Sequence, residues 1–86
     1  MTPEQVRSRG DRVRQVMEGE DFAAACIEVE EELTRMLMTT DPDEAERRES
    51  LYHEVQGLKA VIQRMTHWVD DGEFAKEELE AKDNAI

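Results

Sequence analysis

The chain has few of the residues that usually build or decorate a small domain. It has a single cysteine, two prolines, four glycines and four aromatic residues in 86 positions. One cysteine closes no internal disulfide and supports no zinc spacing, so a reducing cytoplasm is the expected setting. No long apolar run is present for a signal peptide or a membrane span, which points away from a membrane. Basic residues are also scarce, 11 against 22 acidic, for a net charge of −11. That balance argues against nonspecific attraction of the whole molecule to DNA or to an anionic lipid surface.

With so few aromatics, apolar burial must come from Leu, Val, Ile and Met. A chain of this length buries only about 60 to 65% of its unfolded surface, so its core is expected to be thin and a partner or a second copy to be favoured. The charge is also uneven. Residues 1–17 carry Arg7, Arg9, Arg12 and Arg14 against Glu4 and Asp11, a balance of +2, and the remaining residues carry 7 basic and 20 acidic groups, a balance of −13. The sequence therefore describes a small basic arm on an acidic body.

Helical signals run through the whole chain, and no two-residue alternation competes with them. Thr2, Pro3 and Gln5 form a capping-box start with Pro at the first helical position. Val6, Val13, Val16 and Met17 then suggest one apolar face, Gly10 weakens the middle by about 1 kcal/mol, and Gly19 offers a stop; the helix is expected at about 3–18. Asp21 reads as the next N-cap. Behind it Phe22, Cys26, Val29, Leu33 and Met36 recur at spacings of 4, 3, 4 and 3, which predicts a helix at about 22–39. Asp41, Pro42 and Glu44 repeat the capping pattern. Leu51, Val55, Leu58, Ile62, Met65 and Val69 follow at heptad-like spacing, and Gly72 supplies a stop, so the third helix is expected at about 42–71.

Two seamed helices joined by so short a turn predict a long antiparallel hairpin. The third helix outruns the second, leaving Met65, Trp68 and Val69 for the basic first helix or for another chain to cover. The expected domain is 1–72, followed by a short helical turn and a flexible acidic tail over 73–86. The fold class is thus all-α, a helical hairpin plus a basic N-terminal helix, with oligomerisation expected.

Sites for chemistry are weak. His53 and His67 stand 14 residues apart, roughly 21 Å along a helix, and cannot share a metal. Glu49 with His53, or His67 with Asp70 and Asp71, supplies too few ligands for zinc. The carboxylates of Glu30, Glu31 and Glu32 are adjacent and diverge around the helix, so they make no acid/base pair. No phosphate loop, nucleophile arrangement or cofactor motif is present. Neither a catalytic residue, a metal site nor a cofactor is expected, and the chain reads as a non-enzyme. Cys26 sits where a buried structural thiol belongs. Met17, Met36, Met38 and Met65 fit either an adaptable binding surface or gap-filling in an imperfect core.

The arginines of the first helix point around its circumference and lack a helix-turn-helix frame, so nucleic acid is an unfavoured partner. Neutralising the acidic hairpin of the same or a neighbouring chain is the simpler role for Arg7, Arg9, Arg12 and Arg14. The runs EVEEEL and DPDEAE also admit a sharper reading, in which a row including Glu30, Glu31 and Glu32 imitates a phosphate backbone and occupies a nucleic-acid groove on another protein.

The run DEAERRESLYHEVQGLKAVIQRMTHWVDDGEFA, with the preceding DFAAACIEVEEELTRML, resembles small helical proteins encoded by tailed bacteriophages and prophages. The matching residues are Glu44, Ala45, Arg48, Glu49, Leu51, Tyr52, Leu58, Gly72 and Ala75, over about 55 residues. Tyr52 stands where that pattern more often has Trp, and the Arg expected nearer the seam end is missing. The resemblance implies a role in virion assembly, as a head, connector or packaging accessory in a bacterial host, and it carries over no catalytic residue. The expected function is therefore a non-catalytic assembly protein that binds itself or a larger virion protein through Leu51, Val55, Leu58, Ile62, Met65, Trp68 and Val69. The alternative is the acidic nucleic-acid mimic, an inhibitor of a host DNA-binding or defence protein.

Overall fold

The computed structural model describes residues 1–84, which form three helices: α1 (Pro3–Glu18), α2 (Glu20–Met38) and α3 (Ala45–Asn84). The fold is all-α, with no strand among the described residues.

α1 begins as its sequence dictates. The Thr2 hydroxyl accepts from the Gln5 amide at 3.2 Å, and the Gln5 side chain accepts from the Thr2 amide at 2.8 Å, so two of the orphan donors of the first turn are satisfied. Its end also falls where expected. Gly19, in an extended conformation (φ −69°, ψ 139°), is at once the C-cap of α1 and the N-cap of α2. The N-cap expected at Asp21 is therefore corrected to Gly19. Helix α2 has already started at Glu20, and Asp21 sits inside its first turn, where a carboxylate still favours the positive end of the helix dipole.

Two boundaries of α3 differ more. It starts at Ala45 and not at Pro42, because residues 41–44 form a turn closed by the Glu44 amide on the Asp41 carbonyl at 3.0 Å. The capping interaction survives in part: the Asp41 amide donates to the Glu44 carboxylate at 2.9 Å, and Arg48 reaches back to the Asp41 carbonyl. At the other end, Gly72 does not stop the helix. The helix continues to Asn84 through EFAKEELEAK, a run of good helix formers, so the tail expected over 73–86 is helical as far as it is described. Ile86 lies outside the described residues.

α3 is thus a 40-residue rod, about 60 Å long at ~1.5 Å per residue. It accounts for most of the 67 Å length of a molecule that measures only 24 × 15 Å in cross-section. α1 runs antiparallel to it along its C-terminal half, with Val6 and Arg7 carbonyls against Gly72 and with Arg14 beside Glu73. α1–α3 is the principal contact, and α2 touches α3 less extensively. The core is correspondingly thin. Leu51 and Ala75, each 5% exposed, are the buried hydrophobic side chains among the described residues.

Candidate interaction surface

The α3 seam organises the molecule. Leu51 is buried, and Val55, Leu58, Ile62, Met65, Trp68 and Val69 are half-buried. The seven-residue step from Leu51 through Leu58 and Met65 then lands on Gly72 and Leu79, so the seam runs past the expected stop. On α1 the corresponding line is Val6, Gly10, Val13 and Met17, at spacings of 4, 3 and 4. Gly10 and Gly72 are both buried at the crossing of these lines. A Cβ built on Gly10 would lie 2.8 Å from the Gly72 Cα, and one built on Gly72 would lie 2.9 Å from the Gly10 Cα. Backbone meets backbone there. The two glycines read in the sequence as a weak point and a terminator are the residues that let α1 approach α3. Their membership of the two heptad lines was the signal that identifies them.

Val16, expected on the apolar face of α1, is half exposed at 50%, because the packed side is set by Val6, Gly10, Val13 and Met17. Trp68 is covered by α1: the Arg9 guanidinium lies 4.4 Å from the centre of its ring. Arg9 Nε is buried there without a hydrogen-bond partner, so the ring face is its compensation. Arg14 bridges Glu73 on α3 and Asp11 one turn back on α1, the latter at 2.8 Å. Two of the four arginines thus serve the chain's own α1–α3 contact, while Arg7 and Arg12 are exposed and form no ion pair among the described residues.

The other half of the molecule is open. No residue of α2 is buried; Phe22, Cys26, Leu33, Met36 and Leu37 are half-buried, and Ile27, Val29 and Met38 are exposed, as are Tyr52 and Val61 on α3. An open groove of about 720 Å³ on α2 is lined by Ile27, Glu30, Glu31, Thr34, Arg35 and Met38. A second groove, on α3, is lined by Ala60, Val61, Arg64, Met65 and Trp68. Glu30, Glu31 and Glu32 are all exposed, and no carboxylate of α2 forms an ion pair among the described residues.

Groups for chemistry do not converge. No three His, Cys, Asp or Glu side chains gather to hold a metal among the described residues. His53 lies 3.7 Å from Glu49 with both side chains largely in solvent. Cys26 is a free, half-buried thiol in the α2 seam. Glu44 has a displaced acidity: the Asp41 amide, then the Arg47 guanidinium, hold its carboxyl below the ordinary value, as a capping carboxylate requires. No described helix is long and apolar enough to cross a membrane.

No family model, no curated protein and no solved structure matches the chain.

Proposed function

We propose that this chain is a non-catalytic assembly protein that acts through its helices, by association with itself or by docking on a larger protein. The observation that carries the reading is the state of α2: a 19-residue helix with an apolar seam and no buried residue. An α-helix gains most of its stability from packing such a face, so α2 and α3, read as a long antiparallel hairpin, are half of a larger core. The resemblance to tailed-phage helical proteins makes a head, connector or packaging component the proposed larger partner, in a bacterial host or its virion. Because Trp68 and Val69 lie against α1, the α2 side takes over from the end of α3 as the main surface offered to a partner. The test is the mass in solution over a concentration series, together with capture by purified head, connector and packaging proteins. A concentration-dependent oligomer or a stoichiometric complex is expected; a stable monomer that binds none of them overturns the reading.

The exposed carboxylates of Glu28, Glu30, Glu31 and Glu32 favour one alternative, an acidic mimic that fills a nucleic-acid groove of a host protein. It requires salt-sensitive competition with DNA for that protein. Undiminished competition by a Glu30→Gln, Glu31→Gln, Glu32→Gln variant eliminates it.

A further inference from the structure

We infer that the open face along α2 is covered by a second copy of this chain, set antiparallel so that α1 of each protomer lies along α2 of the other. The inference rests on the assembly reading above and adds the occupant and its orientation.

Surface area argues for a full-sized partner. The chain exposes 6705 Å², whereas a compact protein of 10.0 kDa exposes about 5,200 Å². The surplus of about 1,500 Å² exceeds the roughly 800 Å² that each partner of a standard stable interface buries. The Cα radius of gyration, 18.6 Å, is likewise far above the ~12 Å of a compact chain of this length. A second layer of the same dimensions thickens the ribbon and covers the groove on α2.

Charge selects the orientation. α2 carries six acidic residues against Arg35, a net −5, while α1 carries four arginines against three carboxylates, a net +1. α1 covers the C-terminal half of α3, and the short 39–44 connection ties the end of α2 to the α3 N-terminus. A two-fold axis across the long dimension exchanges those ends, so it brings each α1 to the partner's α2. A parallel pairing sets one −5 helix beside another. Arg12 and Val16, four residues apart on the exposed side of α1, offer a cation and an apolar side chain. The α2 groove offers the match, with Ile27 and Met38 as apolar lining and Glu30 and Glu31 as acidic rim. A closed two-fold pair of this kind is the commonest form of self-assembly.

Two charge-reversed chains test the arrangement. In the first, Arg7→Glu and Arg12→Glu make both α1 and α2 acidic; in the second, Glu30→Arg and Glu31→Arg give both helices arginine-rich faces. Each alone is expected to associate at least about tenfold more weakly than the wild type, while an equimolar mixture forms a pair with one chain of each kind, seen by native mass spectrometry. Circular dichroism monitors folding. As a fold-preserving check, Arg12→Lys is cross-linked by carbodiimide in a mixture of isotopically light and heavy chains. Links from position 12 to Glu30 or Glu31 between light and heavy chains are expected. A wild-type dimer whose variants keep their self-affinity, or which yields no such links, overturns the orientation and leaves self-association standing. A wild-type monomer throughout removes self-association and this arrangement with it.

Discussion

Gly10 of α1 and Gly72 of α3 meet backbone to backbone, each buried against the other. A Cβ on Gly10 would stand 2.8 Å from the Gly72 Cα and 2.9 Å from the Trp68 carbonyl oxygen. Neither obstacle is a flexible side chain that could swing aside. The helices would have to separate, and with them the Arg9–Trp68 and Arg14–Glu73 contacts on either side of the crossing.

Gly10→Ala and Gly72→Ala are therefore expected to destabilise the protein by about 1–3 kcal/mol each, because overpacking outweighs the ~1 kcal/mol that Ala gains over Gly within a helix. Gly57 is the internal comparison, since a Cβ there meets nothing within 4 Å. Gly57→Ala should stabilise by about 0.5–1 kcal/mol. Urea denaturation of the three variants measures both signs, and a stabilised Gly10→Ala protein contradicts the crossing.

Arg9 and Trp68 should prove energetically coupled. With the guanidinium 4.4 Å from the ring centre and both residues half-buried, the pair should contribute about 0.5–2 kcal/mol. A double-mutant cycle with Arg9→Met and Trp68→Leu isolates that term while keeping most of the apolar volume. A coupling indistinguishable from zero means the arginine stem, and not its charge, is what Trp68 packs against.

Residues 73–84 should contribute to the fold and not trail from it. Ala75 is buried at 5% exposure, Leu79 is half-buried, and Glu73 is the α3 partner of Arg14. A chain ending at Gly72 should lose several degrees of thermal midpoint and part of the helicity of α1 in addition to that of the removed segment. Hydrogen exchange at Val6, Gly10 and Val13 in the two chains measures the second effect. Unchanged protection there restores Gly72 as the end of the domain.

The turn before α3 should respond to acid. Glu44 has its carboxyl held below the ordinary value in the folded chain, first by the Asp41 amide and then by Arg47. A depressed folded value means that the contribution is complete above the carboxylate range and is lost as pH falls through the folded value. The thermal advantage of the wild type over Glu44→Gln should therefore be largest near about pH 7 and shrink toward about pH 3. A difference that stays constant across that range assigns the effect to packing and not to charge.

The sequence alone determined the helical class, the start and end of α1 and the seam of α3. Thr2, Pro3 and Gln5 act within one turn, and the heptad line from Leu51 to Val69 needs no knowledge of what it faces. Local signals of this kind also placed the break at Gly19. They misjudged Asp21 as a cap and Pro42 as a first helical residue by two or three positions, since a neighbouring turn can satisfy the same amides. Only the tertiary structure decided the meaning of Gly10 and Gly72. A glycine inside a helical run weakens it when nothing approaches, and permits the tightest contact when another helix does. Propensity sees the first case, and a second helix at van der Waals distance is needed for the other. The same is true of Arg9 and Trp68, 59 residues apart, which no local pattern joins. The hairpin lengths left the C-terminal end of α3 for α1 or another chain to cover; the meeting of Gly10 with Gly72 gives it to α1, while Ile27, Val29 and Met38 of α2 stay exposed.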